Sequence, residues 1–154
     1  MWGWIIGLSL VGAVVVVLVG AIPLRDALRR REFHRARQAF RLEREGLEAR
    51  FFDLAQRSGK PRGLRWVECE WLDAVAFGRD RQTGLLTAFV AVNIRFEAIS
   101  GEEMEGVAAV GNVRDAAALF HYQAGHWGTG GRALFNMNPA DALSRLQEIG
   151  RAHV

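Results

Sequence analysis

Few side chains in this sequence could do chemistry, and their spacing limits what that chemistry would be. His121 and His126 stand at i, i+5, whereas a helical zinc pair needs i, i+4. No cysteine or third histidine lies near them in the sequence. They read as surface or rim histidines, and no metal site is expected. Glu68 and Glu70 share one face of an expected strand, about 7 Å apart. Paired carboxylates can act as acid and base when one is desolvated; solvated acids paired with Arg95 are the plainer reading. Asp73 falls among apolar alternates. Either the strand bulges there, or Asp73 points inward, where His121 would complete an acid–base pair. Gly128-Thr129-Gly130-Gly131-Arg132 lacks the Walker pattern and precedes a strand, so it reads as a hairpin turn rather than a phosphate cradle. Cys69 is the only cysteine. That excludes an internal disulfide and a thiolate zinc cluster and agrees with a reducing compartment. Its place in the apolar set makes it an inert thiol. No cofactor is expected.

The elements that would hold these residues begin with Ile5 to Ile22, a run without a charge and with Ser9 as its one conventionally polar residue. As a helix it would be about 27 Å long, enough to cross a bilayer core. Arg25, Arg29, Arg30, Arg31, Arg35 and Arg37 follow. This asymmetry orients a single-pass inner-membrane protein with its N-terminus outside and all that follows Leu24 in the cytoplasm. Those arginines are expected to face anionic lipid. The run lacks the basic n-region of a cleaved signal peptide, and Val19-Gly20-Ala21 is a poor cleavage site. Trp2 and Trp4 suit the outer interface.

The expected organisation is an anchor over 1–24, a basic helical stem over 25–62 and an α+β head over 63–154. From Arg25 to Arg62 twelve Lys/Arg stand against six Asp/Glu, and from Gly63 to Val154 eight stand against eleven, which together give the overall +3. The head is therefore mildly acidic, and the basic balance of the whole chain does not mark it as a nucleic-acid binder. In the stem, Phe33, Phe40, Leu47 and Leu54 recur every seventh residue, with Ala36, Phe51 and Ala55 beside them. The stripe predicts a helix whose second half packs on the head; a short coiled coil with another helix is the alternative. Pro23 is expected to mark the membrane exit, and Ser58 to Gly63 to end the stem.

Period-two alternation then predicts strands over 64–77 and 85–99 about a turn at Asp80–Gly84, which sets Arg95 opposite Glu68 or Glu70. Val67, Cys69, Trp71, Val75 and Phe77 form the apolar set, leaving Trp66 on the face of Glu68 and Glu70. An acidic loop with Glu102, Glu103 and Glu105 follows. A third strand is expected over 113–124, with helix as the alternative that its alanine content leaves open, then a turn over 125–131 and a fourth strand over 132–137. Asn138-Pro139-Ala140-Asp141 opens the last helix, with Asn138 as its N-cap. Leu143, Leu146 and Ile149 form its apolar stripe.

One helix on a four-stranded antiparallel meander, closed by a short helix, resembles the cystatin-like and NTF2-like architectures in element order. Gly63-Leu64-Arg65-Trp66, Cys69-Glu70, Ile94-Arg95-Phe96-Glu97-Ala98 and Gly131-Arg132-Ala133-Leu134-Phe135-Asn136 resemble segments of uncharacterised small membrane-anchored bacterial proteins. That resemblance implies a membrane-anchored protein and carries no activity.

The expected function is a membrane-tethered, non-enzymatic domain that docks another protein or itself through Trp66, Glu68, Glu70, Arg95, Glu102, Glu103 and Glu105. Two alternatives are an NTF2-like ligand-binding or catalytic cone using Asp73 and His121, and anionic-lipid or nucleic-acid binding by the stem.

Overall fold

The apolar stripe of the stem lies in a helix much longer than the stem. In a computed structural model describing residues 3–58, 63–101, 105–106 and 111–149, helix α1 runs unbroken over Gly3–Ser58. Pro23 lies inside it rather than ending it. Proline costs about 3 kcal/mol in a helix interior, a cost that strong helix formers around it, such as Leu24, Ala27 and Leu28, offset in part. The side chains of residues 3–15, 18 and 19 lie outside the described set, and with them most of the expected anchor. Among the described residues no helix is long and apolar enough to cross a membrane.

The chain divides into two compact units, Met1–Gln38 and Ala39–Val154. In the first, Arg25, Arg29, Arg30, Arg31, Arg35 and Arg37 are all exposed, and the Arg37 guanidinium stands 6.0 Å from the centre of the Phe33 ring. In the second, α1 buries Phe40, Leu47, Phe51 and Ala55, spaced by sevens and fours. Leu54, expected in the same stripe, is half-buried. The helical period of 3.6 carries the buried face from Leu54 to Phe51 and Ala55.

The strands are β1 (Leu64–Arg79), β2 (Leu86–Ala98), β3 (Arg114–Gln123), β4 (His126–Gly128) and β5 (Ala133–Phe135), followed by α2 (Pro139–Ile149). All pairings are antiparallel. The sheet order is β1-β2-β3-β4, and β5 also pairs with β3. β5 falls within the expected fourth strand over 132–137 and pairs with residues 116–118, whereas β4 lies in the stretch 125–131 expected as a turn and pairs with residues 121–123. Between them Leu119 receives a hydrogen bond from the Thr129 hydroxyl (2.8 Å) and donates its N–H to Arg132 O (3.0 Å). Gly131 makes this bend possible. Its φ is +70°, and a Cβ there would meet the backbone nitrogen of Ala55 at 2.6 Å. The glycine-rich run therefore seats a bend against α1, and no helix N-terminus follows it to hold an anion.

The side of the sheet facing α1 is filled by aromatic rings in mostly edge-to-face contact. Phe40 meets Phe77, Phe120 and Trp127 at 5.5, 5.5 and 4.9 Å. Phe51 meets Trp66, Trp71 and Phe120 at 6.2, 5.3 and 5.9 Å. On the opposite side α2 covers Phe89 and Ala117 with Ala142, Leu143 and Leu146. Asn138 caps α2 as expected, its Oδ1 accepting the Asp141 N–H at 2.9 Å. Gly78 lies beneath this helix, and a Cβ there would come within 2.1 Å of Leu143 Cδ1. The side chain of Ile149 lies outside the described residues.

Candidate functional site

Two irregularities in β1 decide which side chains reach each face. Between Trp66 and Glu68 the register with β2 shifts by one, with Trp66 opposite Phe96 and Glu68 opposite Arg95. A one-residue bulge reverses the parity of everything before it. Trp66 therefore points to α1 and is buried, with 3% exposure. Its expected place beside Glu68 and Glu70 is corrected: Arg65 occupies that face, and Val67 is the extra residue, 42% exposed. Trp66 packs on Phe96 at 5.1 Å, a core contact that leaves it little surface to offer a partner. The second shift lies between Trp71, opposite Val92, and Val75, opposite Val90. It loops out Leu72, Asp73 and Ala74, all exposed. Arg44 of α1 holds this bulge, donating to Leu72 O at 2.6 Å and pairing with Glu48 at 2.6 Å.

The outer half of β1 and β2 carries a row of cross-strand polar pairs. Arg65 pairs with Glu97 and Arg95 with Glu68. Asn93 Nδ2 donates to Glu70 Oε2 at 3.0 Å. The register is thus settled in favour of Glu68 for Arg95, with Glu70 opposite Asn93. These side chains are solvated, so each pair contributes about 0.2–1 kcal/mol and mainly fixes register. Asp115 continues the row on β3, opposite Asn93. Beside it an open groove of about 510 Å³ runs to the start of α2, lined by Leu72, Ala91, Asn93, Asp115, Met137 and Asp141 among others. Glu105 is exposed and accepts the Gly101 N–H at 2.6 Å. Glu102 and Glu103 lie outside the described residues.

The acid–base pair expected from Asp73 and His121 is not assembled. Asp73 sits in the exposed bulge, between the levels of Val92 and Val90. His121 lies farther along, opposite Thr87. Its Nδ1 shares a 3.1 Å hydrogen bond with the hydroxyl of Thr87, which is fully buried. Burial lowers the pKa of His121, the Asp80 carboxylate opposes that, and Arg132 adds to it. The carboxylate that acts on His121 is therefore Asp80, which sequence reasoning placed only in a turn. Burial raises the Asp80 carboxyl, but hydrogen bonds from Gln82 and Thr83 and the charge of His121 outweigh it and leave the pKa lowered. The Gln82 N–H and the Thr83 hydroxyl occupy its two oxygens at 2.8 and 2.9 Å. Thr87 has the hydrogen bond of a nucleophile to its base, yet no surface through which a substrate could reach it.

Cys69 faces Ile94 across the strands, and burial pushes its thiol up to about 12, which makes it a poor nucleophile. Among the described residues no group of three or more His, Cys, Asp or Glu is placed to hold a metal ion. Comparison of the chain with protein-family models, curated proteins and solved structures finds no match.

Proposed function

We propose that this chain is a membrane-tethered, non-enzymatic interaction domain, its head held at the cytoplasmic face by residues 5–22 and engaging a protein partner or a second copy of itself. The observation that carries this reading is the continuity of α1 from Gly3 to Ser58. The uncharged run, the exposed arginines and the residues packed into the head belong to one continuous helical stretch of chain. Exposed arginines at residues 25–37 suit anionic lipid head groups next to such a span. The aromatic filling of the sheet's inner side argues against a ligand-binding cone. The polar row Arg65, Glu68, Glu70, Arg95 and Glu97, with the neighbouring groove, is the face offered to a partner. Charge pairs of this kind select partners and orientation more than they add affinity.

Membrane extraction at alkaline pH tests the tether. The full chain is expected to stay with the lipid pellet, and Val15→Arg with Val16→Arg to release it. Release of the unaltered chain would overturn the reading. Arg95→Glu adds a fourth carboxylate to Glu68, Glu70 and Glu97. It is expected to weaken capture of a partner by the folded protein, and unchanged capture would remove this face from the proposal.

A further inference from the structure

We infer that the outward side of α1 within the head is a dimerisation seam, and that its occupant is the same helix of a second, parallel copy of this chain. The inference rests on the tethered reading, because two copies tethered through their N-terminal ends to one membrane can meet with their chains running the same way.

The stripe that the sequence offered for helix pairing, Phe40 and Leu47, is spent in the core. A different face carries Leu42, Gly46 and Ala49, all exposed, with Leu42 at 88%. Leu42 is the most exposed large apolar side chain among the described residues of the unit Ala39–Val154, and nothing lies within 4 Å of where a Cβ of Gly46 would be. An open cleft of about 400 Å³ adjoins it, lined by Leu42, Gly46, Leu47, Arg50 and Trp127 among others.

The spacing of Leu42, Gly46 and Ala49 is that of d, a and d in a heptad. This frame places Glu45 at g and Arg50 at the following e. In a parallel pair a g residue faces the next e residue of the other helix, so Glu45 of each copy meets Arg50 of the other, twice by symmetry. Both side chains are exposed, and neither takes part in an ion pair among the described residues. The next g–e pair, Phe52 with Arg57, places no like charges together, but the next a position is Asp53, which would set two carboxylates face to face, so the seam ends at Ala49. Gly46 leaves room for close helix approach, and Leu42 of the second copy can enter the cleft beside it. So short a seam is weak between free molecules; confinement to one membrane raises the local concentration at which it must act.

The test uses the full chain in lipid vesicles with Cys69→Ser as background. Leu42→Cys and Ala49→Cys are expected to form disulfide dimers under mild oxidation, and Arg41→Cys, one position off the seam, is not. Glu45→Arg is expected to abolish the Leu42→Cys dimer, and adding Arg50→Glu to restore it. Equal crosslinking of Arg41→Cys and Leu42→Cys would overturn the seam, as would a charge swap without rescue. Alkaline extraction of the same samples separates the two readings. A chain that stays in the membrane without the Leu42→Cys dimer contradicts the seam and leaves the tether standing. A chain that is extracted yet still crosslinks at Leu42→Cys contradicts the tether and supports the seam. A chain that is extracted and does not crosslink contradicts both.

Discussion

The two faces of β2 make opposite commitments. The even-numbered face is buried from Leu86 through Ala88, Val90, Val92 and Ile94 to Phe96. The odd-numbered face begins the same way, with Thr87, Phe89 and Ala91 buried, and then changes to Asn93, Arg95 and Glu97. Helix length accounts for the change. The 11 residues of α2 span about 16 Å. The 13 residues of β2 span about 44 Å. A helix that short covers only part of the strand, and the uncovered part is polar. The inner face is therefore where stability resides, and the uncovered outer half is where substitution is tolerated and where the proposed partner would bind.

The largest test of this contrast is Phe51→Ala. Phe51 is fully buried among Trp66, Trp71 and Phe120, and truncation is expected to cost about 3–5 kcal/mol in chemical denaturation. A loss below about 1 kcal/mol would mean that the inner face is not the core. Gly78→Ala comes next. Its new methyl would have to displace Leu143, and overpacking of this kind costs about 1–3 kcal/mol. Because Leu143 is a flexible side chain of α2, the smaller end of that range is expected, with α2 loosened more than β1 in hydrogen exchange.

His121 lies at the α2 end of the outer face and supplies a pH test. Its pKa is lowered in the folded state, first by burial. Its contribution to stability is thus complete above the unfolded value of about 6.5 and is lost as pH falls through that value toward the folded one. Asp80 is also lowered, so its contribution is complete above about 3.9 and fades only in stronger acid. The melting temperature of the full chain in detergent is expected to start falling just below pH 6.5, and His121→Gln to remove that first step while leaving the acid limb. A first step that persists in the variant would contradict this assignment. The smallest effect is expected at the solvated pairs: Arg95→Ala or Glu97→Ala should change stability by about 1 kcal/mol or less.

Alternation made the strands legible. Regular period-two patterns predicted β2 and β3, and Asn138-Pro139 announced the start of α2. Arg95 was placed opposite Glu68 or Glu70, and the Glu68 register is the one formed. The bulges were not legible, because a one-residue insertion leaves no mark in composition. Val67 is as β-prone as its neighbours, yet it exchanges Trp66 and Arg65 between the faces. Asp73 in an apolar set did signal that the strand is irregular there, and a bulge was one of its two readings. The charge of Asp80 beside His121 arises from the return of β3 past the first hairpin, a long-range pairing that local spacing does not encode. β4, inside the stretch expected as a turn, was hidden for a similar reason: the glycine-rich run reads as a plain turn until α1 is found 2.6 Å from the missing Cβ of Gly131.

The most direct test of the tethered head is the side from which single cysteines react in the Cys69→Ser chain, in right-side-out and inverted inner-membrane vesicles. Ser9→Cys is expected to resist an impermeant maleimide in both preparations until detergent is added, because the proposed span over residues 5–22 would place it within the bilayer. Ser144→Cys, exposed on α2, is expected to react in inverted vesicles alone. Labelling of Ser9→Cys in intact vesicles, or of Ser144→Cys from the outer side, would contradict the account.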